Sequence, residues 1–415
     1  MKSNRKIAHL GFAALCLASA SWVMAETNPY YFGISQAFTR ESNLFRVANG
    51  QAETSDTHST TSLLAGIDQP FGRQRFFADA AVRYNKYQDV TAVNNTGYGL
   101  SIGLDWATIE RLSGRVSYKL DETLARFGAD QGPQLFRKNT EKSQEFLARG
   151  KYGLESVLSL EAALAHRQLG YSAAEYAFQE FEQDSASLGI QYRPSGLLTL
   201  GGALRYTKGR YPFAVQTTPG VFQKDAFDRN DLDLTAVWVP TGLSTISARL
   251  SYTKESHDAV NSRDVSGATG AITWDYKPTG KLAFTTALIR DTGAEASFNR
   301  LSAGGVNSIG NNSRLSTALE MKAIYEATAK IKVDANARYV TRDLVNSFAL
   351  ATGAASVNAG SDKYAEARLG VSYAPIRSVL LGCFLGYEKR GSRSTVSYGY
   401  SADAVGCSAQ FKLQQ

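Results

Sequence analysis

Residues 267–289 read GATGAITWDYKPTGKLAFTTALI, and this stretch decides the fold. Up to Tyr276 the residues alternate between an apolar set that ends in aromatics and a small or polar set. Side chains of a β-strand point alternately to its two faces, so the pattern indicates a strand with one apolar face. Pro278 and Gly280 then predict a tight turn, and a second strand returns from Leu282. The stretch is a β-hairpin with an aromatic residue directly before its turn.

The same hairpin recurs along the chain. Tyr192 and Trp238 precede turns that also contain Pro and Gly, and Tyr373 precedes a looser copy. Eight pre-turn positions align, and all but the first hold Trp or Tyr. These positions are 67, 106, 152, 192, 238, 276, 325 and 373. Their spacings of 38 to 49 residues fit two strands plus one short and one long connection, which indicates a propeller, an array or a barrel of hairpins.

The N-terminal segment has the pattern of a signal peptide. It begins with basic residues, continues with an apolar run over residues 7–23, and offers small residues for cleavage before Glu26. An uncleaved membrane anchor is the alternative, and the short apolar run followed by a polar segment argues against it. We therefore expect a signal peptide at residues 1–25 and a single β-barrel at residues 26–415.

Composition excludes several classes of protein. The formal net charge of +7 is small and dispersed, so nothing points to nucleic acid as a partner. Beyond the N-terminal segment no apolar run reaches the roughly 20 residues that a transmembrane helix needs. Three cysteines are too few for a disulfide scaffold. A single soluble core rarely exceeds about 250–300 residues, yet the chain shows no linker, so a large barrel fits best.

Short and long connections alternate along the chain, as they do in bacterial outer-membrane barrels. The predicted long connections are residues 88–97, 121–140, 171–184, 207–229, 254–266, 291–313, 342–362 and 389–396. We predict an all-β fold: a transmembrane antiparallel up-and-down β-barrel of about 18 strands in the bacterial outer membrane. Its short turns would be periplasmic and its long loops extracellular. Four loops, 121–140, 207–229, 291–313 and 342–362, are long enough to fold inward, and composition does not select among them.

Every second residue of the predicted strands is apolar, and we expect this set, which we call the lipid phase, to face membrane lipid. It includes Leu104, Leu188, Leu250 and Val371, and its aromatic residues gather at strand ends, as in the interfacial belts of membrane proteins. A soluble sandwich with this face as its core is the alternative. The repeated aromatic at one depth favours the membrane.

The opposite phase carries charged residues in mid-strand. Facing lipid, an Arg or Lys would cost about 2–4 kcal/mol at the bilayer midplane, so we expect these side chains to line a polar lumen. The basic candidates for the lumen are Arg75, Arg83, Arg115, Lys119, Arg149, Lys151, Arg205, Arg249, Arg338 and Arg368. They either only brace the barrel through cross-strand ion pairs, or they form a path that attracts anionic or polyhydroxylated solutes.

No catalytic chemistry is visible in the sequence. We expect His58 and His257 in extracellular loops and His166 near a strand end on the lipid side. None has the partners of a catalytic triad or the spacing of metal ligands. Ser101 lies in a G-x-S-x-G match, but inside an alternating strand, so the match is accidental. We expect no enzyme activity, no metal and no cofactor.

A family resemblance enters near residue 32. Phe32-Gly33-Ile34-Ser35 leads into the phrase Arg40-Glu41-Ser42-Asn43-Leu44-Phe45-Arg46. A strand followed by an acidic-x-Asn-Leu-Phe-Arg phrase resembles the start of the EpsL-type barrels of exopolysaccharide operons, which belong to a broad β-barrel porin group. The Pro-x-Gly hairpins resemble that group along the whole chain after the signal. The resemblance implies an outer-membrane part of exopolysaccharide production or export that works with polysaccharide and with secretion machinery.

Three functions follow as hypotheses. The first is a channel for exopolysaccharide export with a polar, partly basic lumen. The second is a plugged accessory barrel that scaffolds a secretion complex. The third is a general porin for small solutes. Gene deletion separates the first from the third, and bilayer conductance separates an open path from a plugged scaffold.

Cys383 and Cys407 lie in the last two predicted strands, both on the lipid phase. If the hairpin is symmetric about residue 395 they lie opposite each other, with Cβ atoms about 4.5–5.5 Å apart and close to disulfide geometry. The periplasm is oxidising, so the bond can form there. If the turn is centred on Gly391 and Ser392 instead, Cys383 faces Tyr400 and the thiols stay free.

Overall fold

The computed structural model describes residues 29–109, 111–128, 136–153, 157–218, 221–292, 313–349, 355–392, 394 and 396–413. Eighteen β-strands account for most of these residues. They are β1 (Tyr30–Glu41), β2 (Asp56–Phe71), β3 (Gln74–Tyr87), β4 (Asn95–Ala107), β5 (Leu112–Leu124), β6 (Thr140–Tyr152), β7 (Leu158–Tyr171), β8 (Phe181–Ser195), β9 (Leu198–Thr218), β10 (Val221–Thr241), β11 (Ser244–His257), β12 (Val265–Tyr276), β13 (Leu282–Thr292), β14 (Ser313–Glu326), β15 (Ile331–Ala349), β16 (Ala355–Ile376), β17 (Val379–Ser392) and β18 (Tyr400–Leu413). Residues 1–25, predicted to be a signal peptide, lie outside the described residues.

The sheet is closed and antiparallel throughout. Each strand pairs with its neighbours in the chain, and β1 pairs with both β2 and β18. The predicted up-and-down barrel of about 18 strands is therefore confirmed, with its eight short turns on one rim. Closure leaves no edge strand with unpaired backbone groups, which a strand surrounded by lipid cannot tolerate. In the described part of the chain, no helix is both long enough and apolar enough to cross a membrane.

Two of the predicted long loops are mostly strand. Residues 207–229 belong almost entirely to β9 and β10, and most of residues 342–362 belong to β15 and β16. These hairpins continue beyond the apolar band, and the inner face of the β9–β10 hairpin is buried there, as at Tyr211 and Phe227. The apolar alternation ends there although the backbone pairing continues, so the sequence pattern underestimates strand length. The other predicted loops overlap strand ends by a few residues.

The outer wall is apolar and exposed, as expected for a surface that lipid covers. Leu104, Leu188, Leu250 and Val371 all lie on it. In a soluble sandwich this face would be the buried core, so that alternative is wrong. The pre-turn aromatics form an exposed girdle beside the short-turn rim, which marks the periplasmic boundary of the hydrocarbon layer. Its exposed members are Tyr152, Tyr192, Trp238, Tyr325 and Tyr373.

Candidate functional site

All ten basic residues predicted for the lumen lie on the lumen-facing phase of their strands. The register pairs Arg75 with Asp105, and Arg338 with both Glu320 and Glu366, while the exposed apolar side chains alternate with them on the other face. Arg368 lies with its guanidinium over a lumen-facing aromatic ring, that of Phe384, at 3.7 Å. Their role in a solute path stays a prediction.

Most of these ten residues form ion pairs within the wall. Arg75, Arg83, Arg115, Lys119, Arg149, Arg205, Arg249 and Arg338 each have an acidic side chain within 4.0 Å. Lys151 instead donates a hydrogen bond to Gln191 at 2.9 Å. The positive charges are thus largely balanced by lumen acids, so the basic character expected from the sequence is weaker than the cation count suggests.

Ion pairs near the periplasmic rim are exposed. We call the pairs Arg75–Asp68 and Arg149–Glu161 the periplasmic pairs. Their side chains keep 46% and 56%, and 43% and 23%, of their surface accessible. Many lumen residues nearby are Gly, Ala or Ser, so the charged groups project into open space. The charged side chains at this end are accessible to solvent, which fits the aqueous interior expected of a barrel of this strand number.

Nearer the extracellular rim, a second set of ion pairs is buried. We call Arg229, Asp231, Arg249 and Asp291 the Arg229 network. Arg229 donates to Asp231 at 2.9 Å and to Asp291 at 2.8 Å, and its side chain is only 1% exposed. Asp291 also accepts from Arg249 at 2.8 Å. β10 and β13 are three positions apart in the sheet, and small lumen residues of β11 and β12, such as Thr253 and Thr269, leave room for this bridge.

The connection between β1 and β2 folds into the barrel. Asn43 fixes its turn, because its side chain accepts from the Val47 amide at 2.9 Å and donates to the Ser401 carbonyl at 3.1 Å. Leu44 and Phe45 are buried beside aromatic residues of other elements. Together with Arg46, these are residues of the acidic-x-Asn-Leu-Phe-Arg phrase. The phrase therefore has a structural explanation: it builds a segment that narrows the lumen.

The connection between β5 and β6 crosses the lumen. Arg126 contacts Glu388 of β17 and donates to the hydroxyl of Tyr364 of β16. β17 and β5 are six positions apart in the closed sheet, so this contact passes through the interior. Arg46 donates to the same Glu388 at 2.7 Å. We call Arg46, Arg126, Tyr364 and Glu388 the inner-loop network.

Gly128 lies where the β5–β6 connection contacts the β1–β2 connection. Its φ of +63° is left-handed, and a Cβ there would lie 2.8 Å from the Cβ of Arg46. Its carbonyl accepts a hydrogen bond from Arg390 of β17. Of the four loops with inward potential, the loop at 121–140 has a described part that enters the lumen, and the shorter β1–β2 connection joins it.

Two carboxylates stabilise the charged form of the buried Arg46. Burial alone would disfavour its charged form, but Glu388 and Glu41 offset that cost and hold the pKa of the guanidinium above its usual range. Arg46 also adopts a positive φ of 49°, which is uncommon for a residue with a side chain. A strained backbone and a doubly paired cation identify Arg46 as an anchor of the inward segment.

Two further loops share a motif that the sequence analysis missed. In the β3–β4 connection, Asp56 accepts the amide of Val90 at 2.8 Å and Asn94 accepts that of Tyr87 at 2.7 Å. In the β11–β12 connection, Asp225 accepts the amide of Ala259 and Asp264 accepts that of His257, at 2.9 and 2.8 Å. Each loop also contains a short 3-10 helix. In the sequence, this motif is marked by an Asn or Asp seven residues after the last residue of the preceding strand. These residues are Asn94 after Tyr87 and Asp264 after His257.

Two histidine predictions are wrong. His58 and His257 belong to β2 and β11, and both lie on the lumen phase instead of in loops. His257 is buried between Asp225 and Glu255, at 2.7 and 3.2 Å. Polar neighbours at these two strand ends interrupt the apolar pattern, so the pattern predicts strands that are too short. His166 lies on the outer face as expected.

Within the described ranges, no group of three His, Cys, Asp or Glu side chains is placed to hold a metal ion. Ser101 lies inside β4, where no strand-to-helix elbow exists. The charged side chains form ladders and networks along the wall.

Cys383 and Cys407 are directly opposite each other in the β17–β18 hairpin and form a disulfide bond, with Cα atoms 4.0 Å apart. Both lie on the lipid-facing phase. The alternative register, with Cys383 facing Tyr400, does not occur, because Tyr400 pairs with Arg390.

No protein-family model matches the sequence, and no curated protein is detectably similar to it. Similar solved structures are outer-membrane proteins. OpdK from Pseudomonas aeruginosa has a TM-score of 0.47 at 12% identity, over 93% of this chain and 99% of that one. OpdL from the same organism has a TM-score of 0.43 at 13% identity (94% and 99%), and the channel DcaP of Acinetobacter baumannii one of 0.44 at 12% (92% and 96%). Similarity at this level says nothing about what this chain transports.

Proposed function

We propose that the protein is a passive outer-membrane channel for small hydrophilic solutes, narrowed in its extracellular half. The observation that carries the proposal is the difference in exposure along the lumen. Ion pairs beside the periplasmic rim are open to water, whereas the inner-loop network and the Arg229 network are buried. A path lined by charges and narrowed at one level admits small solutes and selects among them by size and charge.

Conductance of the purified barrel in a planar bilayer tests this function. The expected result is discrete steps of stable current whose size rises when the inward segments are loosened. Asn43→Ala removes the side chain that fixes the β1–β2 connection and is the loosening variant. Asn85→Ala removes a lumen amide of β3 that bonds only to neighbouring strands, and is the control. A protein that inserts but passes no current would be a plugged scaffold, and the proposal would be wrong.

Export of exopolysaccharide is the second candidate. It is supported by the EpsL-type phrase, because the phrase residues Asn43, Leu44 and Phe45 are buried anchors of an inward segment and not incidental surface residues. Lumen arginines and tyrosines would hold sugar hydroxyls and carboxylates by charge-assisted hydrogen bonds. Such a polymer would require the inward segments to move aside during passage.

Deletion of the gene separates the two functions. Loss of secreted polysaccharide that both the wild-type gene and the Asn43→Ala gene restore would support export, because the variant only loosens a segment that has to move aside. Unchanged polysaccharide together with slower uptake of small solutes would support the diffusion channel and exclude export.

A further inference from the structure

The short-turn rim carries a set of exposed cations that we call the basic rim. Its members are Arg73, Arg111, Arg193, Lys277, Lys281, Lys330 and Arg377. They come from six of the eight short turns, so they surround much of the periplasmic mouth. Among the residues that the structure describes, none of the seven has an acidic side chain within salt-bridge distance. Most lumen cations, by contrast, are paired.

Acidic residues do not balance the basic rim. Within the described part of the short turns between strands, there is no Asp or Glu. Glu110 and Glu155 belong to two of these turns in the sequence and lie outside the described residues. Asp68 and Glu326, at strand ends beside these turns, are paired with Arg75 and Lys332. Even with Glu110 and Glu155 counted, the cations of the basic rim therefore outnumber the acids left to balance them. The mouth therefore has a net positive field that the lumen itself lacks.

The basic rim faces the mouth more than the lipid. Arg193 lies in β8 on the same phase as Gln191, which bonds to lumen-facing Lys151, and the charge of Arg193 acts on Lys151. Arg111, Lys277, Lys281 and Lys330 each adjoin a strand end and continue its lumen-facing set.

We infer that the basic rim makes the channel prefer anionic solutes, and that selectivity is set at the periplasmic mouth and not by the paired charges inside. The inference rests on the proposed channel function and names its solute class. Unpaired charges around an aqueous mouth raise the local concentration of counter-ions, so anions enter more often than cations. The eight predicted lumen cations that have an acid within 4.0 Å add little to this field, because the acid offsets their charge.

The test is the reversal potential of single barrels in a KCl gradient. At about 0.1 M salt the Debye length is ~10 Å, and the chloride-to-potassium permeability ratio should exceed about 2. At about 1 M the Debye length is ~3 Å, so the ratio should fall toward 1. This salt dependence separates a field at the mouth from direct binding in the lumen.

A rim variant replaces five cations with glutamine, and Arg73 is kept because it donates to the Thr108 carbonyl. The rim substitutions are R111Q, R193Q, K277Q, K281Q and K330Q. The control variant loses the same charge from exposed lysines on the lipid-facing phase, far from the short-turn rim. Its substitutions are K86Q, K142Q, K208Q, K254Q and K363Q. All ten side chains are exposed, so both variants should fold, which heat-shifted gel migration verifies.

The rim variant should lose the anion preference at 0.1 M, and the control variant should keep it. A wild-type barrel that conducts without anion preference overturns the inference and leaves the channel function standing. A wild-type barrel without conductance overturns both. If the rim variant keeps its anion preference but inserts poorly into vesicles containing phosphatidylglycerol, the basic rim contacts lipid headgroups, and the inference is wrong.

Discussion

The two halves of the lumen use the same residue types in opposite ways. Near the periplasmic rim, Arg149 and Glu161 are 43% and 23% exposed. Near the extracellular rim, Arg126 and Glu388 are 3% and 13% exposed. The chemical pair is the same, but water screens the first and is excluded from the second. Exposed pairs typically contribute about 0–1 kcal/mol, whereas breaking a buried pair costs about 3–5 kcal/mol.

This difference assigns separate roles to the two halves. In the periplasmic half, charges can exchange partners with water and solutes at little cost, so the wall stays open and adaptable. In the extracellular half, removing one charge would leave its partner buried without a counter-charge, which costs stability. The inward segments are therefore held in a single arrangement. In the proposed channel, the extracellular half thus sets the width of the path.

The largest effect is expected from Glu388→Gln. This change leaves Arg46 and Arg126 buried without their shared carboxylate, and should lower the free energy of unfolding by about 3–5 kcal/mol. The matched change in the periplasmic half is Glu161→Gln, which leaves Arg149 exposed to water and should cost less than about 1 kcal/mol. Urea unfolding of both variants in detergent measures the difference.

The same two variants should also differ in single-channel conductance. Glu388→Gln should enlarge the single-channel current, because the crossing segment loses its anchor, and Glu161→Gln should leave the current unchanged. Equal stability losses in the two variants would contradict the comparison, since they would mean that burial does not distinguish the pairs.

Much of the barrel could be predicted from the sequence because its signals are local. Apolar alternation and the pre-turn aromatics indicate lipid contact for each strand. The sequence therefore predicts the number of strands and which residues face the lumen. The pattern predicts loops at residues 207–229 and 342–362, because the apolar alternation ends where the strands leave the membrane. His58 and His257 were misplaced for the same reason.

The inner-loop network could not be predicted, because it depends on distant contacts. Arg126 and Glu388 are 262 residues apart in the chain, and nothing local to either residue indicates the other. The Asn-Leu-Phe-Arg phrase was recognised as a resemblance, but its role as an inward anchor depends on where β17 and β18 lie.

The second effect concerns the disulfide, which joins β17 to β18 on the lipid-facing side of the wall. Replacing Cys383 and Cys407 with serine should lower stability by about 2–4 kcal/mol, because the unfolded chain loses a covalent constraint across 24 residues. Thiol titration of the denatured, unreduced protein without residues 1–25 should find no free thiol. Two free thiols per chain would exclude the bond, and a reducing agent that destabilises the double-serine variant as much as the wild type would exclude its stabilising role.

A third effect should come from Gly128→Ala. The new methyl group would meet the Cβ of Arg46 at 2.8 Å, in addition to the strain of a left-handed backbone, and overpacking of this kind costs about 1–3 kcal/mol. Gly50→Ala is the control, because Gly50 is also left-handed (φ +87°) but has no atom within 4 Å of an added Cβ. Only Gly128→Ala should also change the conductance. Similar conductance changes in both variants would assign the effect to backbone strain and not to the contact between the inward segments.

The smallest effect on stability, and the closest test of the comparison, is Asp68→Asn. Asp68 and Arg75 are 56% and 46% exposed, so losing the pair should change the free energy of unfolding by less than about 1 kcal/mol. Arg75 keeps Asp105 at 3.5 Å, but the periplasmic mouth gains one net positive charge. The chloride-to-potassium permeability ratio should therefore rise slightly at low salt and stay unchanged at 1 M, where screening is strong.

Asp362→Asn removes the acid from a pair that is 1% and 0% exposed, and should instead destabilise the barrel strongly. If Asp68→Asn is as destabilising as Asp362→Asn, the periplasmic half is not the adaptable wall that its exposure indicates.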